Sequence, residues 1–205
     1  MTADETAGNG AVITLDDIQR RLISYDPVLL PQDERTPASV ALILREETSG
    51  LEILFVERAA HDADPWSGDL GFPGGKVEET DADPRAAAER ETAEEVGIHL
   101  HLGKARCLGR LSDIAGVRLP IRVSCFVYGI RGLVSLRIGE EIRDAFWVPF
   151  DYLVDPQSRM MATFHFRGEA MECPAIRLPM LDKPVLWGLS YRLIMEFLQI
   201  LGRER

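Results

Sequence analysis

The 205-residue chain is short of positive charge: 23 Lys and Arg face 33 Asp and Glu, leaving a formal charge of −10 at pH 7. Sequence-blind nucleic-acid binding is driven by Lys and Arg releasing counterions from phosphates, so this balance argues against DNA or RNA as a partner. Cysteine is scarce too. Cys107, Cys125 and Cys173 are odd in number, widely spaced and without a Cys-x-x-Cys pair, which suits a reducing, cytoplasmic setting and offers no zinc or redox site. All three are read as core thiols. His99, His101 and His165 share no metal-ligand spacing with one another, and His61 is read as a lone, solvated loop histidine. No apolar run approaches the roughly 18 uninterrupted residues of a membrane span; the longest, 185–201, is broken by Ser190, Arg192 and Glu196. Residues 1–11 lack the basic and apolar blocks of a secretory signal. What remains, 46% apolar and 27% charged, is ordinary globular composition.

The pattern along the chain predicts a small tail and helix followed by one larger domain. Leu15, Ile18 and Leu22 stand at helical spacing in 14–25, with Thr14 or Asp16 able to cap. A proline-bearing linker, 26–37, wraps the surface, so 1–37 is read as packing on a domain over 38–205. Strands are predicted at 39–44 and 51–57 around a polar turn at 46–50, then at 105–111, 121–128 and 145–148. A loop punctuated by Gly and Pro spans 62–75. A turn at 149–153 precedes a hairpin, 160–166 and 171–176, and a last helix over 186–201. Strands on both sides of a central helix make the fold class α/β or α+β. Trp147 and Trp187 are assigned to the core.

The acid excess is concentrated. Between Gly75 and Ile98 stand eight acids and three bases. Asp83 as N-cap, Pro84 at the first helical position and Gly97 as a stop predict a helix over 84–96. On it, Glu91, Glu94 and Glu95 fall within an arc of about 100°. Like charges so placed oppose helix formation by a few tenths of a kcal/mol per pair, and Arg90 alone cannot neutralise three of them. A hard divalent cation can, since Mg²⁺ takes oxygen ligands and keeps positions for substrate phosphates. Ala87 and Ala88, one turn earlier, are read as leaving room for a ligand to approach. Phe72-Pro73-Gly74-Gly75 lies just upstream, where glycines let backbone come close to a ligand.

The segment reads Gly75, five residues, Asp81, eight residues, Arg90-Glu91-Thr92-x-Glu94-Glu95-x-Gly97-Ile98. It closely resembles the signature box of the Nudix hydrolases, differing in Asp81 for the usual first Glu, a second spacer one residue longer, and Thr92 in an aliphatic slot. The inserted residue with Asp, after Gly68-x-x-x-Phe72-Pro73-Gly74-Gly75, is similar to the coenzyme A pyrophosphatase branch. So are Glu141 six residues before Trp147-Val148-Pro149, and Leu186-Trp187-Gly188-Leu189-Ser190. The interval 59–67 departs from that branch by one residue and lacks its Arg.

The resemblance implies a Nudix-type α/β/α sandwich with a central mixed sheet. It implies hydrolysis of the pyrophosphate bond in a nucleoside diphosphate linked to X, with Mg²⁺ or Mn²⁺ held by Glu91, Glu94, Glu95 and the Gly75 carbonyl. Arg90 would orient Glu91 and Glu94, and Glu141, with Glu140 second, is the candidate base outside the box. Arg58, Phe72, Gly74 and Trp66 are the candidate substrate contacts. Coenzyme A or a derivative leads; ADP-ribose and dinucleotides are alternatives, as are a non-catalytic nucleotide-binding module and an isomerase that would recruit Cys107 or Cys125. The expected partner is a small nucleotide diphosphate, with a homodimer compatible with the family.

Overall fold

The computed structural model describes residues 13–59, 68–117, 119–132, 134–166 and 169–203. At its centre are β1 (Thr36–Glu47), β2 (Gly50–Arg58) and β7 (Ile121–Ile130). Their apolar residues run nearly without interruption because both faces are covered. Ala41, Ile43, Leu54, Val56, Phe126 and Tyr128 pack on one side. Leu42, Leu44, Ile53, Phe55, Cys125 and Val127 pack on the other. The first face meets α2 (Pro84–Val96); the second meets α1 (Leu15–Ile23) and α4 (Gly188–Ile200). Helix, sheet and helix form three layers, as the sequence predicts.

The sheet is mixed. β1 runs parallel to β7, while β2 and β4 (Gly74–Lys76) are antiparallel to β1. β3 (Leu70–Gly71) and β8 (Ile142–Pro149) are antiparallel to β2, and β5 (Ala105–Arg110) and β6 (Ile114–Ala115) to β7. β1 and β2 pair only near their hairpin, from Leu44 with Ile53 to Glu47 with Gly50. Beyond it they diverge, and the resulting wedge is filled by β4 on β1 and β3 on β2. Phe72-Pro73 turns between these two short strands, and the Pro73 carbonyl accepts from Ala41 N at 2.9 Å. The glycine segment expected as a loop is therefore part of the sheet.

Peripheral elements follow local signals. α1 begins with a capping box in which Thr14 and Asp17 each accept from the other's backbone N–H, and Leu15, Ile18 and Leu22 are buried. The linker is fastened rather than loose: Asp113 N donates to the Val28 carbonyl, and Arg122 Nη1 to that of Pro31 at 2.6 Å. The turn expected at 149–153 is a short helix, α3 (Phe150–Val154), and the hairpin is β9 (Arg159–Phe166) with β10 (Glu169–Ile176). Of the three thiols only Cys125 is buried; Cys107 and Cys173 are half-exposed. The tryptophans stand at the margin of the core, Trp147 packing against the cluster on the α2 side. Trp147 is half-buried under Arg45, 4.3 Å from its ring centre. Trp187, half-buried, stacks on Phe164 at 3.8 Å and donates to Asp69 at 2.9 Å. The indole N–H of Trp187 needs a polar partner, and Asp69 keeps that ring near the surface. No described helix is long and apolar enough to cross a membrane.

Candidate active site

The box helix α2 is fixed at both ends by the residues that predict it. Asp83 accepts from Ala86 N at 2.8 Å, Pro84 opens the first turn, and Gly97 closes the helix at φ +72°, a left-handed conformation that glycine adopts without steric cost. Ala87 and Ala88 are fully buried against the sheet. Their small size brings helix to sheet rather than leaving space for a ligand. Thr92, in the aliphatic slot, is buried with its hydroxyl donating to Ala88 O at 2.6 Å. A second anchor was not legible in sequence: Tyr128, from β7, donates to Glu89 at 2.7 Å and receives Arg85 Nε at 3.1 Å.

The three box glutamates lie at graded depth: Glu95 buried, Glu91 half-buried, Glu94 exposed. Arg90 organises them. Its Nη1 donates to Glu91 at 2.9 Å and to Glu94 at 3.1 Å, while Nε and Nη2 grip the two oxygens of Asp81, each at 3.0 Å. Nη2 also reaches Lys76 O at 3.1 Å. Asp81 thus holds the arginine in place and, beside that guanidinium, its carboxyl lies below the usual range. Burial pushes the Glu91 carboxyl up, against the opposing pull of Arg90.

Glu95 is the most unusual member. Its Oε2 accepts from Gly74 N at 2.9 Å, and Oε1 faces Arg58 Nη1 at 3.4 Å. Burial pushes its pKa up to about 7, with the Gly74 amide and Arg58 only partly offsetting the desolvation and Glu91 and Glu141 adding to it. Gly74 has φ +151°, and a Cβ there would stand 2.3 Å from Ser39 O. At Gly75 a Cβ would lie 2.5 Å from the Glu91 carboxylate. Backbone excludes a side chain at Gly74, whereas one at Gly75 would displace the Glu91 carboxylate.

Arg58, at the end of β2, also approaches Glu141 at 3.8 Å. The structure therefore gathers Arg58, Gly74, Gly75, Arg90, Glu91, Glu94, Glu95 and Glu141 at one end of α2. Phe72 is different: it is buried and stacks on Phe55 at 5.2 Å, so it packs the core instead of facing a substrate. Trp66 and His61 lie outside the described residues. Among the described residues no three acidic, His or Cys side chains stand at metal-holding distance from one another; the box carboxylates are engaged by Arg90, Arg58 and the Gly74 amide. The donor set nevertheless fits a hard cation. It is all oxygen, two of its carboxylates are strained toward protonation by burial, and the Gly75 cradle keeps backbone against Glu91.

Similarity to known proteins agrees with this geometry. A family model described as NUDIX domain matches residues 34–167. An uncharacterized protein of Schizosaccharomyces pombe is 32% identical over 158 residues, covering 66% of this chain and 48% of that protein. The peroxisomal coenzyme A diphosphatase of Mus musculus is 30% identical over 102 residues, covering 44% of this chain and 37% of that one. The chain thus spans half or less of the length of these relatives. A crystal structure of a MutT/nudix family protein from Enterococcus faecalis superposes with TM-score 0.51 over 93% of this chain and 75% of that one, at 17% identity, a likeness of fold. With the model matching well over half its length and the Arg90–Glu95 box built as described, the chain belongs to the Nudix domain family.

Proposed function

We propose that the protein hydrolyses the pyrophosphate bond of a nucleoside diphosphate linked to a further group, with coenzyme A or a derivative as the leading substrate. The observation that carries this reading is the Arg90-ordered set of Glu91, Glu94 and Glu95 facing the Gly74-Gly75 backbone. Glu91, Glu94, Glu95 and the Gly75 carbonyl would hold Mg²⁺ or Mn²⁺, which supplies positive charge to the phosphoryl oxygens and lowers the pKa of bound water. Arg90 fixes the rotamers of Glu91 and Glu94 and is itself fixed by Asp81. Arg58 presents a guanidinium beside Glu95 and contributes to binding the anionic substrate.

Glu141, on the exposed side of Arg58, takes a proton from the attacking water as the new oxygen–phosphorus bond forms and the bridging one breaks. A local acidic cluster that binds cations also explains how a protein of charge −10 accepts an anionic substrate. The coenzyme A preference draws on the relative named as a coenzyme A diphosphatase and on the Gly68 to Gly75 spacing. The isomerase alternative finds no support in the thiols: Cys125 is buried on the sheet face opposite α2, and Cys107 contacts Gly109 O at 3.7 Å. Three unpaired cysteines favour a cytoplasmic setting.

The test is incubation of the purified protein with coenzyme A, acyl-coenzyme A, ADP-ribose, NADH and oxidised nucleoside triphosphates, each with Mg²⁺ or Mn²⁺, and mass identification of products. Cleavage of coenzyme A into a phosphopantetheine-containing and an adenosine-phosphate product is expected. Exclusive cleavage of another compound moves the substrate, and cleavage of none overturns the reading.

A further inference from the structure

An α-helix leaves its last carbonyls without intrahelical partners, and at the end of α2 two of those groups are taken by a segment some 40 residues further along the chain. Arg137 N donates to Val96 O at 2.9 Å and Gly139 N to Glu95 O at 2.8 Å. Gly139 lies so close to the helix that a Cβ would stand 2.6 Å from Glu94 O and 3.4 Å from Glu95 Cα. Its own carbonyl accepts from Ile142 N at 3.2 Å, closing a tight turn over residues 139–142. The far side of that turn is tied to the other wall of the site, where Ala59 N donates to Glu141 O at 2.9 Å. The backbone of Glu141 is thereby clamped between the end of the box helix and the end of β2. Arg58 then spans the two carboxylates, 3.4 Å from Glu95 and 3.8 Å from Glu141.

We propose that Gly139 is a positioning residue, latching the turn that carries Glu141 onto the last turn of α2 so that Glu141 and the box glutamates are held as one rigid unit. The role of Glu141 as base rests on the hydrolase reading; the latch does not. Gly139 touches no reacting group and acts only through Glu141. Its requirement is steric, because the helix carbonyl occupies the volume that any side chain at 139 would need. The same clamp keeps the negative charge of Glu141 next to the carboxylates that would hold a cation, so displacing the turn weakens cation binding as well as proton transfer.

Two measurements test the latch. In the unsubstituted protein the amides of Arg137 and Gly139 are expected to exchange with solvent deuterium as slowly as the helix-end amide of Gly97. Exchange at the rate of an exposed loop overturns the proposal whatever any variant does. Binding of Mn²⁺ alone, followed by electron paramagnetic resonance, is expected to weaken about tenfold in Glu141→Gln, the effect of one charge a few ångströms away in partly solvated surroundings. Gly139→Ala is expected to weaken it equally, and Gly139→Ala/Glu141→Gln no further, since residues acting as a unit are non-additive. A Gly139→Ala protein that folds and binds Mn²⁺ as the parent does, or losses that multiply in the double variant, would overturn the proposal. Protected amides in a protein that cleaves nothing in the substrate panel would instead leave the latch standing and remove the hydrolase reading.

Discussion

Glu57 and Glu95 are both nearly inaccessible, at 2% and 4% exposure, and both approach the end of β2, one from each face of the sheet. Their surroundings differ. Glu57 receives Arg143 Nη1 at 2.9 Å and Lys183 Nζ at 3.0 Å, and Lys183 also pairs with Asp144. A bulge in β8 opposite Glu57 and Arg58 makes this possible, because the extra residue puts Arg143 and Asp144 on the same side. Glu95 has one amide and one longer guanidinium contact, with two further acids acting on it. A buried carboxylate with two cations is a structural fastening; one left short of positive charge is prepared to receive more. The contrast supports the proposed placement of the chemistry on the α2 side without reference to any motif.

The largest expected effect separates the two glutamates by activity. Glu95→Gln should lower kcat on the best substrate of the panel about 1,000-fold, roughly 4 kcal/mol of barrier, whereas Glu57→Gln should leave turnover per folded molecule within about threefold. Equal losses in initial-rate assays would erase the distinction. Stability should divide them the other way. Glu57→Ala, which removes the more deeply buried of the two carboxylates that hold half-buried Lys183 and leaves only Asp144, should cost about 3 kcal/mol in urea unfolding.

The third expectation concerns pH. The folded pKa of Glu95, about 7, lies above its ordinary value of 4.5, so the folded state favours the proton. The resulting stability is fully present below about pH 4.5 and is lost as pH rises through about 7. Metal-free Glu95→Gln should therefore exceed the parent by about 3 kcal/mol at pH 8 and match it at pH 4. The same proton competes with a cation, so Mn²⁺ affinity should rise between pH 6 and 8 in the parent. The smallest effect belongs to Arg143, whose side chain is 72% exposed. Arg143→Ala should cost less than about 1 kcal/mol, leaving Lys183 as the cation that matters to Glu57.

What could be read in the sequence was local. The limits of α2 follow from Asp83, Pro84 and Gly97, each acting on its own turn, and the spacing of Glu91, Glu94 and Glu95 follows from helix geometry. Pairings between distant segments were not legible. β3 and β4 are two and three residues long and exist because β1 and β2 diverge; nothing in Leu-Gly or Gly-Gly-Lys signals a strand. Lys183 meets Glu57 across 126 positions. Asp81 reads as a departure from the family pattern, yet it is the residue that fixes Arg90; an acid nine positions before an arginine was the available signal. The alanines misled because helix–sheet proximity and ligand access both favour small residues, and only the packing distinguishes them.

The parallel pairing of β1 with β7 joins residues roughly 85 positions apart, and β4 is laid against the opposite edge of that same β1. Contacts of such long range are formed slowly, because the intervening chain must surrender its freedom before they give anything in return. The glycine backbone that meets Glu95 is thus laid on a strand whose other edge is held by one of the least local pairings in the molecule. During refolding the site should mature late, and a chain stalled before β7 docks would carry a formed box helix facing a glycine wall whose supporting strand is still held on one edge alone.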